Sequence, residues 1–192
     1  MNNFMKLKGI CFAVGLGLAL GCLQALNAED SAAGEKPPPS AAKHASPLDP
    51  MAFLVGGEWV AKLPETPGGK PVSILAHFTW TGGHRAIRIS NVYAVGDTTV
   101  PYIDGIYAWH PGKKAIVFSY VDSQGNFYEG TVTPETNGLV HEFQMTGLNG
   151  EIAEFTARQT WDGTNAWINE IFSRNGGKLE SEVKVRYEKK QP

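Results

Sequence analysis

Four of the five histidines, His77, His84, His110 and His141, lie beyond residue 50 and are the first residues to weigh for chemistry. No two stand at His-x-His or His-x₃-His spacing, and none forms the Glu-flanked pair of a metalloprotease. The sequence therefore offers no metal site. His84 and His110 abut turns, where water solvates them; His77 and His141 fall in mid-strand, where an ordinary strand histidine is the default. No Gly-x-Ser-x-Gly elbow is present, and Ser73, Ser90 and Ser119 sit inside strands without a special turn. Asp104 and Glu129 lie on different strands, so spacing cannot pair them for glycoside hydrolysis. A glycine-rich phosphate loop is missing too, because there is no helix for it to open. No catalytic residue is thus assigned. A barrel interior can still host chemistry without a linear motif, and Arg88, Asp104 and His141 are the polar groups such a site would use.

Aromatic side chains are the richer signal. Ile74, Ala76, Phe78, Trp80 alternate along one segment, Ile103, Gly105, Tyr107, Trp109 along another, and Val183, Val185, Tyr187 along the last. That two-residue period marks strands with one face turned to a core. Trp80, Tyr107, Trp109, Tyr120 and Phe143 are the candidate ligand-binding residues, with Phe155 a further aromatic of the same kind. Buried Tyr and Trp need a partner or water for their polar tips, so several together suit a cavity better than a dry core.

The elements that position them are read from turns. Gly68-Gly69, Gly96-Asp97, Pro111-Gly112, Asn137-Gly138, Asn149-Gly150 and Asp162-Gly163 are among signals recurring every ten to fourteen residues or so. They delimit ten expected strands at 58–64, 72–80, 85–94, 102–110, 114–121, 126–134, 138–146, 151–161, 165–174 and 178–189. Ten hairpin-linked strands need closure to lose their edges. The expectation is an all-β, antiparallel up-and-down barrel, with a two-sheet sandwich as the alternative. Pro50 to Val55 reads as one helical or 3₁₀ turn leading into the first strand.

Upstream of the domain, residues 1–28 read as a signal peptide. Lys6 and Lys8 form its basic start, Ile10 to Leu20 is an apolar run too short to span a bilayer, and Leu26-Asn27-Ala28 permits cleavage. Leu18-Ala19-Leu20-Gly21-Cys22 resembles a bacterial lipobox, which makes Cys22 a lipidation candidate and an outer-membrane lipoprotein the alternative to a periplasmic or secreted product. Residues 29–49, with Pro37-Pro38-Pro39, read as a disordered tether, and residues 50–190 as the barrel domain. Both cysteines, Cys11 and Cys22, lie in the leader, so the mature domain has no disulfide and no thiolate chemistry. Cleavage removes Lys6 and Lys8 from the 17 basic residues, leaving 15 against 19 acidic and a net charge of −4. That sign argues against nucleic acid as a partner. Membrane attachment is expected only through Cys22.

Phe53-Leu54-Val55-Gly56-Gly57-Glu58-Trp59 is similar to the opening of the calycins, the lipocalins and fatty-acid-binding proteins. The resemblance implies a short helical plug ahead of a Gly-x-Trp, with Gly57 and Trp59 as structural plug residues at the closed end. It also implies a basic residue near that Trp on the closing strand, Val183 to Lys190. The strand and turn pattern over residues 50 to 190, with Asp122-Ser123-Gln124-Gly125, resembles secreted bacterial barrels grouped as a domain of unknown function. The Arg-x-Tyr carboxylate clamp of fatty-acid-binding proteins does not carry over, because Tyr187 has Val185 two places back and Arg186 on the opposite face. Some calycin relatives hold haem by one histidine, so haem is a remote candidate while no cofactor is the expectation. The reading is an exported barrel that binds a small apolar molecule. Its alternatives are a barrel enzyme without a linear motif and an envelope interaction protein with a filled barrel.

Overall fold

The computed structural model describes residues 46–64, 69–81, 83–175 and 178–190. The leader, Cys22 and residues 29–45 of the expected tether lie outside the described residues. Short runs of alternating apolar and polar residues, broken by glycine turns, make ten strands. They are β1 (Glu58–Lys62), β2 (Val72–Thr81), β3 (Ala86–Val95), β4 (Thr98–His110) and β5 (Ala115–Asp122). Then follow β6 (Phe127–Glu135), β7 (Gly138–Thr146), β8 (Ile152–Trp161), β9 (Ala166–Asn175) and β10 (Lys178–Lys189). Each pairs antiparallel with its chain neighbour, and β1 also pairs with β10, so the sheet is a closed barrel rather than a sandwich.

One boundary departs from expectation. β4 begins at Thr98, four residues before the expected start, and runs through Pro101. A bulge makes this possible: beside Asn91 and Val92 the β4 partners step from Ile103 to Pro101, leaving Tyr102 as the extra residue. Proline lacks an N–H and is tolerated at such an irregularity.

The expected helical plug is reduced to a single 3₁₀ segment, Asp49–Leu54, and the described residues contain no α-helix. Pro50 starts that segment and the left-handed Gly56 and Gly57 end it. Leu48, Met51 and Leu54 are fully buried. Leu48 thus belongs to the buried core cluster.

Trp59 anchors this end. It is fully buried, its indole N–H donates to the Leu54 carbonyl at 2.7 Å, and its ring lies 5.2 Å from Phe53. Lys189, its cross-strand partner, places its ammonium 5.5 Å from the indole centroid. The basic residue over the tryptophan is thus Lys189. Arg186 points outward to Asp162 and Glu188. Gly57 has φ +81°, and a Cβ there would lie 2.8 Å from Lys189 Cε.

Trp59→Ala should cost about 3–5 kcal/mol, the usual range for truncating a buried large aromatic. Gly57→Ala should cost about 1–2 kcal/mol through the left-handed backbone alone. Urea unfolding of both variants measures each loss.

Candidate functional site

Cross-strand partners share a face, so the registers sort every strand residue into inward and outward sets. Inward residues beside Trp59, among them Phe78, Ile87, Ile116, Val132 and Leu139, are buried, while Trp80 and Trp109 near the ends of their strands keep part of their surface exposed. Inward residues toward the opposite end are less buried. Tyr93, Tyr120, Tyr128, Phe143 and Val185 are only half-buried, and Val183 is 44% exposed although it faces the axis. Most of the partly exposed inward side chains lie toward the end away from Trp59.

All six tyrosines of the chain collect inside it. Tyr93 stacks on Tyr102 with centroids 4.2 Å apart, and Tyr120 stacks between Phe118 at 5.4 Å and Tyr128 at 4.7 Å. Tyr187 stacks on Trp167 at 4.1 Å, and Tyr107 lies 5.4 Å from Phe118. Burial raises the hydroxyl pKa of Tyr107, Tyr120 and Tyr187, and neighbouring tyrosine oxygens raise Tyr120 and Tyr187 further. These phenols stay neutral donors at physiological pH. Two inward glycines make room for the rings. A Cβ at Gly105 would overlap the Cβ of Tyr120, and one at Gly130 would crowd that of Phe143.

Toward that end, Asp122 is held by its own turn. It accepts the Gln124 and Asn126 N–H groups at 2.9 and 3.0 Å, the Asn126 amide at 2.8 Å and the Tyr128 hydroxyl at 3.0 Å.

Among the described residues a set of buried polar atoms has no hydrogen-bond partner. They include Asn91 Oδ1, both ring nitrogens of His141, Gln159 Oε1, Trp167 Nε1 and Asn169 Oδ1. Gln159 is the direct cross-strand partner of Asn169, Trp167 lies two residues from Asn169, and His141 pairs with Ala157, two residues from Gln159. His141, Gln159, Asn169 and Trp167 therefore form one inward patch on β7, β8 and β9, with Asn91 on β3. The His141 imidazole faces the rings of Phe118 and Tyr107 at 5.4 and 5.9 Å. Burial pushes its pKa down to about 4.

Of the residues expected to bind ligand, Tyr107, Tyr120 and Phe143 do meet, around Phe118. Trp80 and Trp109 lie elsewhere, at the Trp59 end of their strands. Trp80 stacks on His84 at 4.9 Å, and Trp109 is 38% exposed. Sequence reasoning missed Tyr93, Tyr102, Tyr128, Asn91, Gln159 and Asn169, although alternation from their apolar neighbours carries the signal for most of them. Arg88 and Asp104 are not inside the barrel. They face outward as a two-bonded pair, 2.7 and 3.1 Å, whose hydrogen bonds hold the Asp104 carboxyl below its usual range. Among the other histidines, His77 faces outward to Glu58 at 3.3 Å, and His110 Nδ1 accepts the Lys113 N–H at 3.1 Å. Among the described residues no three His, Cys, Asp or Glu converge as a metal site would require.

A separate cleft of about 720 Å³ runs over the outer face of β4 to β8, past Ile106, Ser119, Glu129, Glu142 and Arg174. Most of its lining side chains belong to the outward set, and Phe118, Gly130, Phe143 and Phe155 of the inward set also border it.

No family model matches the chain, and no curated protein matches it. Among solved structures it is similar to "Crystal Structure of Rv2717c from M. tuberculosis", with a TM-score of 0.51 and 13% identity. The match covers 77% of this chain and 100% of that one. The likeness is one of fold.

His141 makes stability depend on pH. Its pKa falls from 6.5 to about 4 on folding, so between those values the unfolded chain binds a proton that the native state does not. Its contribution is fully present above about pH 6.5 and is lost as pH falls toward about 4, amounting to something on the order of 3 kcal/mol. His141→Leu should remove that share of the acid loss. Urea midpoints of wild type and variant at neutral pH and near pH 4 measure the difference.

Proposed function

We propose that this chain is a binding protein of the calycin-like kind, taking a small molecule through the tyrosine-lined open end of its barrel. The observation that carries the reading is the burial gradient along the inward face. Inward residues are buried beside Trp59 and partly exposed around Tyr93, Tyr120 and Tyr128. A barrel of this size holds one small ligand or fills itself with side chains, and a self-filled barrel has no need of an open half. The 3₁₀ segment, with Met51 and Leu54 buried, serves as the plug of the closed end. Export, with release from the leader or lipid attachment at Cys22, completes the proposal.

Six phenols and a buried polar patch shift the ligand from purely apolar to amphipathic. Haem fits this interior poorly. His141 is the inward histidine, and the rings of Phe118 and Tyr107 stand across its imidazole where a macrocycle would lie. An enzymatic role loses two of its three expected groups, since Arg88 and Asp104 sit on the outer surface.

The test uses a neutral fluorophore and a blocked mouth. Ala153 faces inward near the open end, opposite Met145. Nile red should quench tryptophan emission on titration into the full chain, and Ala153→Trp should weaken its binding by about tenfold or more through simple occlusion. Ile106→Lys, in the outer cleft, should leave it unchanged. Binding that follows Ile106 rather than Ala153 would move the site to the outside, in favour of the interaction-protein reading.

A further inference from the structure

We infer that the buried polar patch on β7, β8 and β9, at the border of the sealed core, is a hydrogen-bonding subsite for a neutral, flat aromatic carbonyl compound bearing a ring hydroxyl or N–H. The inference rests on the ligand-binding reading above and names the class of molecule that fits it.

Charge comes first. Among the described residues the buried polar ones are Asn91, His141, Thr156 and Gln159, and none of these is a lysine, arginine or carboxylate. His141 is neutral near pH 7, Lys189 is engaged over Trp59, and Lys178, inward by register, lies at the start of β10, away from the patch. An anionic head group would enter this patch without a counter-charge, and an unpaired buried charge is strongly unfavourable. Fatty acids are therefore excluded as the matched class.

Shape comes from the walls. Phe118 and Tyr120 lie within 18° of parallel, Tyr120 and Tyr128 within 22°, and Phe143 and Phe155 within 21°. Successive near-parallel rings offer faces to a planar guest, and offset stacking is how aromatic groups prefer to meet.

The partnerless atoms supply the head-group chemistry. Trp167 Nε1 is a donor only, and it requires an acceptor such as a carbonyl oxygen. Gln159 Oε1 and Asn169 Oδ1, on adjacent strands, are acceptors that require an O–H or N–H. Neutral His141 adds one donor and one acceptor. A hydrocarbon leaves every one of these unpaired, whereas a ring with neighbouring carbonyl and hydroxyl groups answers both kinds.

Flavonol and flavone differ by one ring hydroxyl and serve as the probe pair, with palmitate as the anionic comparison. Full-length protein is titrated with each by tryptophan quenching and calorimetry. Flavonol should bind at least about tenfold more tightly than flavone, because a site built to pair a hydroxyl discriminates against its absence. Palmitate should bind more weakly than either. In Gln159→Leu and Asn169→Leu the gap should close to within about threefold, with flavone affinity retained. Both variants remove an unpartnered buried oxygen, so they should fold, and circular dichroism checks that they do. Equal binding of flavonol and flavone, a gap that persists in both variants, or tightest binding by palmitate overturns the subsite and leaves the binding barrel standing. Failure of all three compounds and Nile red to bind overturns both.

Discussion

Ten strands form a barrel only when the first and last find each other, and here that closure is narrow. β1 has five residues, and its register with β10 comprises Trp59 opposite Lys189 and Val60 opposite Glu188. Backbone bonds extend it slightly, Lys190 N–H to Glu58 carbonyl at 2.8 Å. The side chains do the rest. Trp59 is gripped by the Leu54 carbonyl below, Phe53 beside it and the Lys189 ammonium above its ring. Without this seam β1 and β10 would be open edges, a template for pairing with another chain.

Packing one end so firmly permits the other end to stay loose. The sealed half holds the apolar core, with Ile87, Ile116, Phe78 and Leu139 almost without exposure. The other half holds Tyr93, Tyr102, Tyr120 and Tyr128, while Gln159, opposite Leu139, and Trp167, against Trp59, border the sealed core. Buried polar atoms without partners destabilise a native state. On the binding reading proposed above, stability and recognition are separated along the barrel, with β1 and the 3₁₀ segment serving the first and β3 to β9 the second.

The inward patch also illustrates how far a β-barrel differs from a site built on a motif. His141, Gln159 and Asn169 come from three strands and are separated by up to 28 positions in the chain. Nothing in their local sequences marks them as a group. Their adjacency is a product of register, Gln159 opposite Asn169 and His141 opposite Ala157.

Local sequence alone was enough for the strands and turns. Every one of the ten was legible because glycine-rich turns and a two-residue apolar period are local signals, read within a single hairpin. Alternation also placed Arg186 outward and, applied to Ile87 and Ile89 or Ile103 and Tyr107, would have placed Arg88 and Asp104 outward as well. β4 escaped because Pro101 reads locally as a strand breaker, while a bulge on the neighbouring register absorbs it. What only the tertiary structure decided is depth. Trp109 and Tyr107 share a face and a strand, yet one is 38% exposed and the other 3%, because height along the barrel axis depends on how all ten registers sum around the closed sheet. Alternation reports which side of a strand faces inward; closure decides which inward residues meet a plug, which meet each other and which are left partly exposed.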